Sequence, residues 1–309
     1  MRRFYSNGKL LITGEYVVLD GALSLALPTK FGQSLEVTKS EKHGVEWKAL
    51  DNENKVWLSC FFDLDEIMNN KMIHGSRLSE RSSEEIQLLK ILHLAYSFNN
   101  KIFHQNSGYQ VKTKLDFPKI WGLGTSATLI NNIAQWFQVD PYFLLERSFG
   151  GSGYDIAAAQ NNQPITYQYS DNKRSVLKLS FDPVFKDELF FVHLNRKQNS
   201  RDSIAHYKKQ PKAELDSEIK KISGLTSQMI ACESIVEFKL LLEIHETIIS
   251  KLINTPKVKT ELFSDFPGAI KSLGGWGGDF ILATGTKLEM NYFKEKAYHT
   301  IVPFSEMVL

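Results

Sequence analysis

The sequence is short of several things, and each shortage excludes something. Only two of the 309 residues are cysteine, Cys60 and Cys232, far apart and with no Cys-x-x-Cys spacing. A disulfide scaffold and a cysteine metal framework are excluded, and a reducing compartment is indicated. Neither sign of charge dominates: 37 Lys and Arg stand against 35 Asp and Glu, a formal net charge of +2. No global basic field points to nucleic acid. No stretch approaches the roughly 20 apolar residues of a membrane span. The start, "MRRFYSNGKLLITGEY", has two arginines but no apolar run of signal-peptide length. A cytoplasmic protein without nucleic-acid or membrane partners is expected, acting on a small-molecule substrate as a monomer or homodimer. The familiar nucleotide fingerprints are missing too. There is no Gly-x-x-x-x-Gly-Lys-[Ser/Thr], and no Gly-x-Gly-x-x-Gly after a strand. His-Arg-Asp does not occur, and Asp279-Phe280 lacks a following glycine, which excludes a protein kinase.

What is present fits a globular enzyme or binding protein. Apolar residues make up 42%, enough for a sizeable core, and charged residues 23%. "KLLIT" and "YVVLD" read as short strands. "QSLEVTK" and "YQVKTKLDF" alternate apolar and polar as half-buried strands do. "GVEWKAL" and "KVWLSCFF" flank the turn-rich "DNEN", a hairpin pattern. Ser82 with Glu85 forms a capping box, and Ile86, Leu89, Ile91, Leu92 and Tyr96 follow at helical spacing. A helix is expected from Ser126 through Phe137, and another opened by Pro141. "PITYQY", "VLKLSF" and the continuous apolar run "ELFFVHL" read as strands. Glu214 to Asn254 reads as two helices broken near Cys232 to Ser234. "AIKSLGGWGGDFILATG" reads as a helix end, a glycine loop and a strand. Helices and strands mix throughout, which makes an α/β or α+β protein, with a weak division near Ser180 to Lys186.

Three glycine clusters and one lysine are candidates for chemistry. In "PKIWGLGTSATLI", Gly122 and Gly124 precede a helix whose first N–H groups have no intrahelical partner. Such a terminus, with its dipole, takes an anion, and glycine lets the backbone approach it. The same residues are equally an ordinary turn with an N-cap. In "GGSGYDIAAAQ", Asp155 follows glycines and precedes small helical residues. It is a general base or electrostatic anchor on one reading, an N-cap on the other. "GGWGGD" is a third loop, ending on Asp279. Lys9 follows Asn7-Gly8 at the mouth of the first strand.

Together these pieces resemble the GHMP kinase superfamily, which includes galactokinase, homoserine kinase, mevalonate kinase and phosphomevalonate kinase. The first motif stands as "SNGKLLITGEYVVLDGALSLALP", the second as "PKIWGLGTSA", the aspartate motif as "GGSGYDIAAA" and the third as "LGGWGGDFILA". They occur in the family's order across residues 6 to 284. The resemblance implies a two-domain fold, α/β followed by α+β. Residues 1–182 would form an N-terminal ATP-binding domain like ribosomal protein S5 domain 2. Residues 183–309 would form a ferredoxin-like C-terminal domain, with ATP and acceptor in the cleft between the two.

The resemblance also implies roles. Gly122, Leu123, Gly124, Thr125, Ser126 and Ala127 would form the ATP phosphate loop. Ser126 and Glu146 would ligate Mg²⁺. Asp155 would orient or deprotonate the acceptor, with Lys9 as its catalytic partner. Glu15, Tyr16, Gly151, Ser152, Gly153, Lys197, Ser200, Gly275, Gly277 and Asp279 would contact the substrate. "GSGYDIAAA" and Asp279 are closer to phosphomevalonate kinases than to mevalonate kinases, and "NRKQNSRDSI" supplies Arg196, Lys197 and Arg201. That basic loop is at least as readily a solvated surface. The expected activity is ATP- and Mg²⁺-dependent phosphoryl transfer to phosphomevalonate. The alternatives are mevalonate or another sugar or polyol, a non-catalytic sensor, and a decarboxylase on the same fold. Thr125, Tyr16 and Trp276 depart from the family pattern.

Overall fold

The computed structural model describes residues 1–69, 81–104, 107–211 and 214–309. The chain divides into two compact units. The first comprises Met1–Gly8, Phe31–Lys119 and Gly124–Gln160; the second comprises Lys9–Lys30, Ile120–Leu123 and Asn161–Leu309.

Strand β1 (Arg2–Leu11) starts in the first unit and ends in the second, and it pairs with β2 (Ser24–Ser40). The rest of the first unit holds β3 (Gly44–Leu50), β4 (Val56–Phe62), α1 (Leu64–Asn69), α2 (Ser83–Phe98), β5 (Gly108–Leu115), α3 (Thr125–Phe137), α4 (Pro141–Ser148) and α5 (Tyr154–Ala159). Its strands run in the order β4-β3-β5-β2. β3 and β4 form the expected hairpin, whose turn is closed by Asp51 Oδ1 accepting from the Glu53 and Lys55 N–H groups. In β3 the period-2 rule is visible directly: Val45, Trp47 and Ala49 are buried while Lys48 is exposed. The capping box of α2 is formed in full, Ser82 accepting from Glu85 N–H and Glu85 from Ser82 N–H. Leu88, Leu89, Ile91, Leu92 and Ala95 bury one face of that helix in a core with Leu35, Trp47, Phe62, Ile130 and Ile133.

A buried polar network holds α3. Ser6 Oγ donates to Asn132 Oδ1 (2.8 Å) and accepts from Asn131 Nδ2 (2.8 Å). Asn132 Nδ2 donates to the Gln33 carbonyl (2.8 Å), and Thr128 Oγ1 to Gln33 Oε1 (2.7 Å). One face of α3 is thus bonded to β1 and β2. The positions that look polar on a helical wheel are interior ones, satisfied as buried polar groups must be.

In the second unit, the first residues of β2 pair antiparallel with β6 (Ile165–Ser170), which pairs with β7 (Lys173–Lys178). A separate antiparallel sheet has the order β11-β8-β10-β9, from β8 (Leu189–His193), β9 (Ile270–Ser272), β10 (Phe280–Thr284) and β11 (Ile301–Pro303). The helices are α6 (Ser200–Lys208), α7 (Leu215–Ala231), α8 (Ile235–Leu252), α9 (Val258–Leu262), α10 (Asn291–Glu295) and α11 (Phe304–Met307). β8 and β10 are buried along their whole length, as their unbroken apolar runs require. No described helix is long and apolar enough to cross a membrane.

Two expectations fail. "YVVLD" is not a strand. Val17–Asp20 is a single 3-10 turn, entered by Tyr16 at φ 66° and left by Gly21 at φ 96°, and such dihedrals cannot continue a strand. "AIKSL" is not a helix end. Ile270–Ser272 is β9, paired with β10 in the register Ile281↔Ser272, so "GGWGGD" joins two antiparallel strands. The strand is only three residues long and carries a buried lysine at its centre, which hides it from an apolar-pattern reading.

The polar network carries a prediction. Asn132→Ala removes the acceptor of the Ser6 hydroxyl and the side-chain donor to the Gln33 carbonyl. A loss of roughly 2–4 kcal/mol is expected, measured by urea denaturation. A loss under about 0.5 kcal/mol would show that the network holds nothing.

Candidate functional site

In the first unit the site starts from helix termini. Gly124 is the N-cap of α3 at φ 90°, and no side chain caps the helix. The first backbone hydrogen bond closes from Thr128 N–H to the Gly124 carbonyl. The N–H groups of Thr125, Ser126 and Ala127 lie in the first turn, ahead of any intrahelical acceptor. Ser126 is exposed there and Thr125 is half-buried. The cap is a glycine and not one of the hydroxyl residues that follow it.

The aspartate motif is built on the same plan. Gly150, Gly151 and Gly153 all have positive φ, at 68°, 113° and 92°. Gly153 is the N-cap of α5, again without a side-chain cap. Asp155 therefore sits inside the first turn and is not the cap. It is half-buried, and its Oδ1 accepts from the Ile156 N–H (3.0 Å). A Cβ on Gly150 or Gly151 would meet open space, so what forces glycine there is backbone conformation alone. Ser152 is half-buried between them, and Glu146 is exposed on α4. Among the described residues no group of three or more His, Cys, Asp or Glu gathers as a metal centre.

In the second unit the centre is Asp279. It is 5% exposed and lies at φ 52°. Its N–H donates to the Arg196 carbonyl and its own carbonyl accepts from the Leu194 N–H, which locks it against the end of β8. Its Oδ1 accepts from the Gln198 N–H (3.2 Å). A Cβ on Gly122 would overlap the Asp279 carboxylate, so the first glycine of "GLG" is required by contact with the last residue of "GGWGGD". Leu123 is buried beside it, its carbonyl accepting from the Lys9 N–H (3.0 Å). Burial raises the Asp279 carboxyl above the ordinary range; Lys9, the Gln198 N–H, Lys197 and His193 pull it back down. His193 donates from Nε2 to the Ile120 carbonyl (3.1 Å) and accepts at Nδ1 from the Asn195 N–H (3.2 Å), the tautomer those bonds require.

The glycine loop itself is packed under residues 195–199. Gly275 and Gly278 lie against the Gln198 side chain and Gly277 beside Arg196. Lys197 is exposed and Ser200 opens α6, with the Ser200 side chain outside the described part of the structure. Sequence reasoning missed Gln198; its only signal was a place three residues into the basic loop. Trp276 is accommodated because its side chain leaves the loop. It is buried, its Nε1 donates to the Pro256 carbonyl (2.7 Å), and its backbone N–H donates to the Tyr16 hydroxyl (3.0 Å). Tyr16, also buried, packs its ring at 5.5 Å from that of Tyr207, whose hydroxyl donates to Asp20 (2.5 Å).

Glu15 lies within a buried ionic cluster that the sequence did not announce. Lys271 Nζ donates to Glu15 Oε1 (2.5 Å), Glu246 Oε1 (3.2 Å) and the Ser272 carbonyl (3.0 Å), so all three donors are used. Glu246 Oε2 accepts from Ser272 Oγ (3.0 Å). His245 Nε2 accepts from the Gly14 N–H (3.0 Å), which puts its proton on Nδ1. Among the described residues Glu15 Oε2 and His245 Nδ1 have no hydrogen-bond partner. Burial, and then Lys271, hold His245 well below its ordinary range and so neutral. Two carboxylates face one ammonium. Burial therefore raises Glu246, and it raises Glu15 from 4.5 to about 7 against the pull of Lys271.

No protein-family model matches the chain, and no curated protein is similar to it in sequence. Solved structures do match over nearly the whole length. Mevalonate kinase of Methanococcus jannaschii is 17% identical, with 97% of this chain and 96% of that one covered at a TM-score of 0.69. Phosphomevalonate kinase of Streptococcus pneumoniae, solved with phosphomevalonate and AMPPNP, is 15% identical, with 96% of each chain covered at 0.68. A D-glycero-D-manno-heptose 1-phosphate kinase of Bacteriodes thetaiotaomicron is 14% identical, with 99% and 95% covered at 0.63. The chain has the fold of the GHMP kinases, the mixed helix-and-sheet architecture expected from its motifs.

The raised Glu15 carboxyl gives a signed prediction. An acid held above its unfolded value contributes stability below about pH 4.5 that is lost as pH rises through about 7. Glu15→Gln lacks that loss. Its stability relative to wild type is expected to rise across this window, measured by urea denaturation at several pH values. A difference independent of pH would mean that Glu15 does not titrate there. One pKa unit corresponds to about 1.4 kcal/mol, so the effect is measurable.

Proposed function

We propose that this chain is an ATP- and Mg²⁺-dependent kinase acting on a small anionic acceptor, with phosphomevalonate as first choice. The observation that carries this reading is the N-terminus of α3, which opens on a left-handed glycine and has no side-chain cap. A 13-residue helix begun this way offers backbone N–H groups and the positive end of its dipole to a phosphate chain. Residues 122–127 are assigned to the ATP phosphates. Ser126 and Glu146 would hold Mg²⁺, which when bound neutralises charge on the transferring phosphates.

The chain's own residues are assigned the rest. Asp155 takes or orients the proton of the acceptor hydroxyl, from a backbone position fixed by glycines on its N-terminal side. Lys9 offsets charge at the phosphoryl group in flight. The acceptor's anionic end is assigned to Lys9, Arg196 and Lys197 around Asp279, where cations outnumber the carboxylate. Gly151, Ser152 and Gly153 of the first unit, and Ser200, Gly275 and Gly277 of the second, are assigned to the acceptor by the resemblance. Glu15 and Tyr16 act on it indirectly, since both side chains are committed to bonds inside the second unit. Mevalonate or a sugar is the second reading, favoured by the likeness to a mevalonate kinase at a TM-score of 0.69 and to a galactokinase at 0.64.

The test is a coupled ADP-release assay with Mg²⁺–ATP against phosphomevalonate, mevalonate, homoserine, galactose and diphosphomevalonate. Turnover is expected on phosphomevalonate. Asp155→Asn is expected to lower kcat roughly 10²–10⁴-fold with ATP binding unchanged. ATP binding without turnover on any acceptor would favour a sensor. Wild-type turnover by Asp155→Asn would remove the aspartate assignment.

A further inference from the structure

Residues 120–123 lead straight into the N-cap of α3, and all four belong to the second unit, whereas Gly124 belongs to the first. Each of the four is held by a residue of the second unit. The Ile120 carbonyl accepts from His193 Nε2 (3.1 Å). The Trp121 ring meets that of Phe280 edge-on at 5.4 Å. Gly122 lies against the Asp279 carboxylate, and the Leu123 carbonyl accepts from the Lys9 N–H (3.0 Å). Ile120 is 52% exposed, so its hold is the His193 bond and not side-chain packing. His193 itself is buried at the end of β8, opposite Phe280 in the sheet register, with the two rings 5.1 Å apart. Directly after it the chain turns at Asn195, φ 57°, and aims the Asn195 N–H back at Nδ1 (3.2 Å). A backbone N–H only donates, so Nδ1 must be bare and Nε2 must carry the proton. The turn therefore selects the tautomer that can donate to Ile120.

We propose that His193 is a positioning residue for the ATP phosphate loop: by donating to the Ile120 carbonyl it fixes the segment from which Gly122, Gly124 and the N-terminus of α3 depart. The role toward ATP rests on the kinase reading; the clamp on residues 120–123 does not. Backbone N–H donors serve a phosphate best when they are in place before it arrives, and a loop that the ligand must first order binds it more weakly. Phe280 packs against both His193 and Trp121, so one ring aligns the imidazole with the backbone that it bonds. Both imidazole nitrogens are committed to backbone partners, which leaves neither for substrate. His193 thus acts through Ile120 and takes no part in the chemistry itself.

Two substitutions separate the two nitrogens. In His193→Gln the side-chain amide nitrogen stands near the place of Nε2 and still donates to Ile120, but the acceptor for Asn195 is lost. In His193→Asn the amide oxygen stands near the place of Nδ1 and still accepts from Asn195, but nothing reaches Ile120. Both remove the imidazole from beside Asp279, so that effect is common to the two. Calorimetric titration of the full chain with Mg²⁺–ATP is expected to show Kd raised roughly tenfold in His193→Asn, about 1.4 kcal/mol, and nearly unchanged in His193→Gln. Hydrogen exchange of the Lys9 N–H, bonded to the last of the four residues, is expected to quicken in His193→Asn alone, which reads the clamp without nucleotide. His193→Asn binding ATP as the wild type does, or the two substitutions acting alike, would overturn the proposal. A wild-type chain that bound no ATP, with Lys9 exchange still separating the variants, would overturn the kinase reading and uphold the clamp. Nitrogen NMR of the wild-type imidazole needs no variant to fold. It is expected to show a bare Nδ1 and a protonated Nε2, and the opposite tautomer would overturn the proposal.

Discussion

The second unit depends on one buried ammonium. Lys271 spends all three of its N–H donors on the interior, and two of its acceptors are carboxylates from distant parts of the sequence. Glu15 belongs to the loop that follows β1, and Glu246 belongs to α8. Removing one member of such a cluster leaves charge without compensation in a place where water cannot supply it, which is far costlier than never having built it. The loop after β1, the strand that leads into "GGWGGD" and the long helix α8 are therefore held by a single point charge. Because two acids share one cation, the cluster has room for a proton, and the elevated Glu15 and Glu246 carboxyls express that. His245, neutral and bonded to the Gly14 N–H, shields the cluster without adding charge to it.

The two uncapped helix starts, α3 and α5, are supported differently. α3 is bonded along one flank to β1 and β2 through Ser6, Asn131, Asn132 and Gln33, all buried. The rigid flank is what allows the opposite end of the helix to leave its donors uncapped without fraying. α5 is short and relies on small residues, Ala157 to Ala159, all buried. Glycine serves two purposes across these motifs. At Gly150 and Gly151 it supplies a backbone bend with free space around it. At Gly122 it yields room to the Asp279 carboxylate.

What the sequence disclosed follows from this. The loops were legible because their glycines stand at positive φ just before helices or strands, and that pattern is local. Most strands were legible by alternation, and the α7–α8 break by the polar run at Cys232 to Ser234. The rest was written in contacts far apart along the chain. Lys271 and Glu15 are 256 residues apart, so nothing near either marks the pair. β9 was mistaken for a helix end because its central residue is a lysine whose burial only the fold explains. Val17–Asp20 was mistaken for a strand because four apolar-rich residues do not reveal that Tyr16 is in the left-handed region. Gln198 was passed over because its part is played by a backbone N–H, which carries no residue signature.

Trp276 places a fluorescent side chain inside the glycine loop. Its indole is enclosed, yet its Nε1 is bonded to the Pro256 carbonyl and its backbone shares a bond with the Tyr16 phenol. An indole so placed emits according to the field of that one carbonyl and to the seal around it. It stands in the middle of a glycine loop whose neighbours have few side chains with which to report. Any movement that lifts the loop must break the indole's bond or admit water to it. Trp276 is one of five tryptophans, so a variant with the other four replaced would make this loop visible in solution by its fluorescence, with no label added.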